Sequence, residues 1–280
     1  MRESIAFMAA AAVLVQVGAA QAQEEKPLDQ QLPVPEWKVR IELDAWYVAP
    51  GGKLTLPTTG GGQTVNLSVM DMDNPRVSPL AEVDLRLGKW RISFTGFSFQ
   101  GNTDASAATQ SGQIGDTAFA AGDQLKTSLE FQSLEATGGY RVWDVAMNPK
   151  NGVYAMVLGV DAIAGARLYD TSVSIAQASG PAVPSQDEFF GEPIVGIKAD
   201  FDFYKAFSID LRTTFGYMPG DQSSWSWDIA VTGVYRPIEN VGILVGYRQL
   251  LFDLTSGQGN SEYEFNGGMA GLYTGIELRF

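Results

Sequence analysis

From Trp37 to Phe280 the chain alternates apolar and polar residues with a period of two, in runs broken by segments rich in Gly, Pro, Asn, Asp and Ser. That period places the two sets on opposite faces of a strand. Ten strands are predicted, over Trp37–Val48, Leu80–Leu87, Trp90–Phe99, Lys126–Val142, Val153–Tyr169, Phe190–Phe203, Phe207–Tyr217, Trp225–Tyr235, Val241–Phe252 and Tyr263–Phe280. Val153–Tyr169 is the clearest: Tyr154, Met156, Leu158, Val160, Ala162, Ala164, Ala166 and Leu168 share one face, and Gly159, Asp161, Gly165 and Arg167 the other. In Lys126–Val142 the parity changes near Gln132, which predicts a bulge. Pro193 interrupts another run and predicts a bulge, or a strand that projects beyond its neighbours.

The connections alternate in length. Gly88-Lys89, the stretch from Asp144 to Gly152, Tyr204 to Ala206 and Arg236 to Asn240 are short. The segments from Ala49 to Pro79, Gln100 to Leu125 and Asp170 to Phe189 are long. An up-and-down meander with such connections has tight turns at one end and long loops at the other. Composition agrees, since 31 glycines and 11% aromatic residues suit a β protein with many turns.

The last run, Gly271-Leu-Tyr-Thr-Gly-Ile-Glu-Leu-Arg-Phe280, puts Leu272, Thr274, Ile276, Leu278 and Phe280 on one face. It resembles the closing strand of bacterial outer-membrane β-barrel proteins. At the other terminus Met1-Arg2 precedes an apolar run from Ile5 to Val17 and then Ala20-Gln21-Ala22. That is the layout of a cleaved signal peptide, and the run is too short to span a bilayer as a helix. The expected organisation is therefore a signal peptide over 1–22, a flexible periplasmic tail over 23–36, and a barrel over 37–280. The fold class is all-β: an antiparallel up-and-down transmembrane barrel of ten strands with short periplasmic turns and long extracellular loops. The resemblance implies residence in the outer membrane of a Gram-negative bacterium, among its lipid and lipopolysaccharide. It also implies insertion by the barrel-assembly machinery, which would engage the strand ending at Phe280.

A soluble lipocalin-like barrel alternates too, with its apolar face inside. Aromatic residues gathered at strand ends favour the membrane orientation, as girdles at two lipid–water boundaries. Trp37, Tyr47, Trp90, Trp225, Trp227, Tyr235 and Phe280 are the interface candidates, and Phe252 sits at another strand end. The polar face then points inward. It carries Arg40, Glu42, Asp84, Arg86, Arg91, Arg141, Asp161, Arg167, Lys198, Asp210, Arg212, Asp228, Arg248 and Glu277, with Lys38 and Asp44 beside them. The two signs nearly balance, so an internal ion-pair network is expected, because desolvated charges must be paired. The formal net charge of −13 then resides mostly in loops and termini. That balance argues against nucleic acid, which takes a basic stripe. Ten strands lie near the size that side chains fill, so the lumen should be narrow or plugged.

Candidate chemistry is thin. Without Cys the chain forms no disulfide, and without His it lacks the usual general base and metal ligand. Outer-membrane proteases and lipid A-modifying barrels generally rely on a histidine, so the resemblance does not extend to them. Asp71 and Asp73 could act as a carboxylate pair, and with Asn74 could contribute oxygens to a calcium site, but lack the Gly and distal Glu of an EF-hand loop. Two solvated loop acids is the plainer reading. Gly60-Gly61-Gly62 lacks the Lys-Ser/Thr of a phosphate loop and reads as a flexible tip. No cofactor is expected. The functional expectation is a non-enzymatic barrel with a charge-filled lumen, acting structurally or through acidic surface loops. A narrow channel for small solutes or cations is the alternative, and a carboxylate-dependent hydrolase a distant third.

Overall fold

Among the described residues, thirteen strands form in chain order: β1 (Val39–Thr55), β2 (Val65–Asn66), β3 (Arg76–Leu87), β4 (Trp90–Ala107), β5 (Gly112–Ile114), β6 (Thr117–Phe119), β7 (Gln124–Lys150), β8 (Val153–Gln177), β9 (Gln186–Phe203), β10 (Phe207–Met218), β11 (Gln222–Ile238), β12 (Val241–Ser256) and β13 (Tyr263–Arg279). The structure, a computed structural model, describes residues 37–60, 63–150, 153–180, 185–204 and 206–280. The signal peptide, the tail and most of the Gly60-Gly61-Gly62 tip lie outside the described residues. Ten strands hydrogen-bond in antiparallel order, and β1 pairs with β13 from Arg40↔Arg279 to Thr55↔Glu264. That pairing closes the sheet into a ring. Closure removes the edges that an open sheet of this size would expose.

At one end the turns are short. Gly88, at φ +63°, supplies the left-handed conformation of the Leu87–Trp90 hairpin. The other end carries the long connections. There β2 adds to the end of β1, a 3-10 turn over Leu67–Met70 follows it, and β5 and β6 form a small separate hairpin.

The wall is inverted relative to a soluble protein. Leu43, Phe94, Ile197, Phe215, Val245 and Leu272 are all at least 43% exposed, while Arg40, Asp84, Arg167 and Glu277 are at most 2% exposed. Strand parity explains this directly, because every second residue faces out. On β4 the apolar exterior runs from Trp90 to about Ser98. Eight steps at ~3.4 Å and a tilt of ~40° give roughly 21 Å of height, near the ~25 Å band of a membrane barrel. Farther toward the loop end the exterior turns polar, at Gln100, Asn102, Glu130, Gln132, Asp170 and Asp187. The chain crosses a bilayer with strands, and the loop-end half extends beyond the apolar band.

Two details differ from the pattern reading. No bulge occurs at Gln132, where β7 keeps its register with both β4 and β8. Odd-numbered residues of β7 stay inward from Leu125 to Arg141. The apparent parity change is a change in what fills the lumen: Leu125, Leu129 and Phe131 on one side of it, Ser133, Glu135 and Thr137 on the other. The bulge lies instead between Arg141 and Trp143.

The loop-end half is also split. The β3–β4 ladder ends at Leu80↔Phe97 and the β9–β10 ladder at Ile194↔Gly216. Pro79 and Pro193 follow immediately beyond each last pair, and a proline brings no N–H to a ladder. Past these seams, β4–β7–β8–β9 form one wall, and β10 through β13 with β1 and β2 form the other.

Candidate functional site

Between the two walls lies an apolar core. Trp46 meets Phe97 edge-on at 4.9 Å, Phe131 stacks on Phe252 at 4.9 Å, and Phe252 meets Phe265 at 4.8 Å between ring centroids. Phe190 reaches Tyr263 at 6.1 Å. Leu67, Met70, Met72, Ile114 and Phe119 from the loop-end connections belong to the same cluster. The long connections thus pack down as a cap continuous with the lumen core. Burying such side chains contributes about 1.5–3 kcal/mol each. Phe252, expected in a girdle, is 1% exposed and belongs to this core.

Toward the turn end the lumen is ionic. Arg40 pairs with Asp84 and, at 2.5 Å, with Asp210. Lys198 reaches Glu82 at 2.6 Å and Asp84 at 3.1 Å. Arg212 bridges Glu135 at 3.1 Å and Asp228 at 3.0 Å, and Arg248 adds a 2.8 Å contact to Asp228. Arg167, fully buried, touches Glu135 at 2.6 Å and Asp228 at 3.2 Å, and donates to Ser226 and Thr214 at 2.7 and 2.6 Å. Nearer the turns, Asp200 receives Arg86, Arg91 and Arg141 at 3.3, 2.6 and 2.6 Å, and Asp161 receives Arg91 and Arg141. Glu277 binds Arg236 at 2.6 Å and Arg279 at 2.9 Å, with Asp202 3.7 Å from Arg236.

Tyr169 links the two layers. Its ring packs against Phe131 at 5.6 Å while its hydroxyl donates to Glu192 at 2.8 Å. Gly216 makes room for that carboxylate: a Cβ there would sit 2.4 Å from Glu192 Oε1. Pairs held this way add little net stability over apolar packing, yet losing one partner strands a buried charge.

All fourteen charged residues named for the lumen face it, and the structure joins every one except Glu42 to a hydrogen-bonded or ion-paired partner across strands. Glu42 lines the lumen with Arg40 Nε 3.3 Å away. Arg236 was hidden from the pattern because Pro237 marks a turn. It keeps the inward parity of Ser226, Asp228 and Val234, and that parity was its signal. Lys38 is exposed rather than inward.

Tyr47, Trp90, Trp225, Trp227, Tyr235 and Phe280 face outward, 37–64% exposed. Trp37 does not, and its assignment to the membrane interface is corrected. It is 7% exposed inside the turn-end mouth, with the guanidinium carbons of Arg40, Arg86, Arg91 and Arg279 at 5.3, 4.8, 5.7 and 5.5 Å from its ring. Four cations around one indole make an interior cation–π site. β1 begins only at Val39, so the strand parity that would turn Trp37 outward does not extend to it.

Asp71 ends the 3-10 turn in the left-handed conformation, at φ 58°. Its Oδ1 accepts from Asn74 Nδ2 at 2.8 Å, an internal turn contact. Among the described residues, no group of three or more acidic side chains gathers in a way that could hold a metal ion.

No protein-family model matches the sequence, and no curated protein is similar to it. Solved structures with a similar strand arrangement include the outer membrane protease OmpT from Escherichia coli, 11% identical over 90% of this chain and 99% of that one, TM-score 0.42. Neisserial surface protein A is 15% identical over 86% and 97%, TM-score 0.35. Ail, the attachment invasion locus protein of Yersinia pestis, is 8% identical over 86% and 99%, TM-score 0.35.

Proposed function

We propose that this chain is a non-conducting, non-enzymatic barrel of a Gram-negative outer membrane. In this reading the turn end lies in the periplasm, and a rigid two-walled head is presented outside the cell. The observation that carries it is the stacked core of Trp46, Phe97, Phe131 and Phe252 standing across the lumen above an ion-paired layer. A close-packed core has no voids wider than a water, so it leaves no solute path. The head's polar, largely acidic exterior is the surface offered to partners. Lipid and lipopolysaccharide contact the apolar band, and the strand ending at Phe280 engages the assembly machinery. The lack of histidine supports the non-enzymatic role.

The second reading, a narrow channel, needs the aromatic core to part. Conductance in planar bilayers separates the two. Purified barrel should insert without unitary current steps. Stable, reproducible steps at moderate voltage would overturn the closed-lumen reading.

A further inference from the structure

The seam beside Pro193 leaves a strand edge without a partner. From Gln186 to Pro193, β9 pairs with β8 alone, Val173↔Gln186 through Ala166↔Pro193, because its ladder to β10 starts only at Ile194↔Gly216. An antiparallel strand sends the N–H and C=O of alternate residues to opposite sides. Thr171 Oγ1 on β8 donates to the Glu188 carbonyl at 3.2 Å, so the backbone groups of the even-numbered residues point at β8. Those of Asp187, Phe189, Gly191 and Pro193 then point into the seam, and Pro193 brings no N–H there. Among the described residues, no backbone hydrogen bond from a loop or turn reaches this edge. The other seam differs. There Arg76 Nη2 donates to the Asn102 carbonyl at 2.7 Å, stitching the β4 edge to the opposite wall.

The lips of the β9 seam are apolar on the outside. Phe189 is 58% exposed, although its ladder partner Asp170 already belongs to the polar exterior of the head. On the facing lip, Tyr217 and Met218 end β10 at 56% and 41% exposure. Inside, Phe190 lies against Tyr263 and separates the seam from the core. An unpaired edge is a template for another strand, and apolar side chains exposed beyond the lipid band mark a contact surface. The charge around it has one sign: Asp170, Asp187, Glu188 and Asp221, with no Lys or Arg over 186–193 or 217–225.

We propose that this edge docks an extended segment of another protein by strand addition, a segment that alternates apolar with basic side chains. Main-chain pairing to Asp187, Phe189 and Gly191 supplies the register, and the two lips receive every second side chain. The basic positions meet the acids around the seam. A second copy of this chain does not fit. Its own Asp187 and Glu188 would face these acids. Two copies in one membrane are related by an axis along its normal, so their tilted edges cross at about 80° instead of running antiparallel. The proposal gives the partner-facing head of the proposed function a class of partner, and does not depend on the closed lumen. Conductance and peptide binding can therefore fail separately.

The probe is a fluorescein-labelled decapeptide alternating valine with lysine, added to the detergent-folded full barrel. It should bind, and at saturation should slow amide deuterium uptake over 187–191 by about tenfold or more, while uptake over 98–104 stays unchanged. The same peptide N-methylated at every residue keeps its charge but has no backbone donor, and should do neither. Phe189→Lys alters an exposed side chain, so the variant should still show the heat-modifiable mobility of a folded barrel. It should weaken binding by about tenfold or more. Equal binding by the N-methylated peptide would reduce the contact to charge alone and overturn strand addition. Failure of the parent to bind, binding without slowed uptake over 187–191, or parent-like affinity in Phe189→Lys would each overturn the site.

Discussion

Tyr263 Oη donates to Thr171 Oγ1 across 2.9 Å, joining β13 in one wall of the head to β8 in the other. The two strands are not neighbours in the sheet. The bond spans the gap that the seams beyond Leu80 and Ile194 create, directly above the stacked rings. Polar and apolar ties thus share the work of holding two walls that no ladder connects.

Their magnitudes differ. A buried neutral hydrogen bond contributes about 0.5–1.5 kcal/mol, while Phe→Ala in a core costs about 3–5 kcal/mol. Phe131 contacts Phe97, Tyr169, Phe252 and Phe265, so its loss opens a cavity across both walls. Phe131→Ala should lower the urea midpoint of the detergent-folded barrel several times more than Tyr263→Phe. Equal losses would show that the hydroxyl pair, rather than ring packing, closes the head.

The sequence pattern carried most of the wall and half of the interior. Period-two alternation located all ten barrel strands, because each keeps one face in lipid or water and the other in the lumen. It understated their length. Beyond the membrane both faces of a strand become mixed, as at Asn102, Ser128 and Ser172 on the outside of β4, β7 and β8. It also misjudged the upper lumen, since alternation reports sides and not their polarity. Phe97, Phe131 and Phe252 carry the same parity as Arg91, Glu135 and Arg248 on their own strands, yet belong to the head's core. The pairing of Arg167 with Glu135 and Asp228 depends on which strands face each other across the ring, and no local period encodes that.

The loop end should respond to acid through Asp116. Its carboxylate accepts from Thr58 Oγ1 at 3.0 Å, Thr59 N at 2.7 Å and Thr59 Oγ1 at 2.9 Å. The backbone N–H of Thr59, helped by the two hydroxyls, holds this acid below its ordinary value. The sign follows from linkage. A depressed folded-state value stabilises the contact above the unfolded value, near 3.9, and the stabilisation disappears as pH falls through the folded one. Pepsin cleavage around residues 56–60 should therefore accelerate as pH drops from about 4 toward 2, beyond the enzyme's own pH dependence on a reference substrate. Asp116→Ala should already cleave fast at pH 4 and show no further acceleration. A parent and variant with identical profiles would remove Asp116 from this role.

The orientation of the whole wall can be tested by depth. Val231 faces outward on β11 at 42% exposure, level with Leu211 and Tyr247 on the flanking strands. Ile238 faces outward at the turn end of the same strand, 62% exposed. An arginine at the bilayer midplane of a barrel costs about 2–4 kcal/mol, and near the interface about 0–1 kcal/mol. A soluble wall would treat the two positions alike, because water reaches both. Val231→Arg should thus destabilise folding into lipid vesicles by about 1–4 kcal/mol more than Ile238→Arg in reversible denaturant titrations. In detergent, where the surrounding layer is thinner and wetter, the gap should shrink. Matching costs in vesicles would mean that the apolar exterior does not face hydrocarbon, and the buried arginines would then need another explanation.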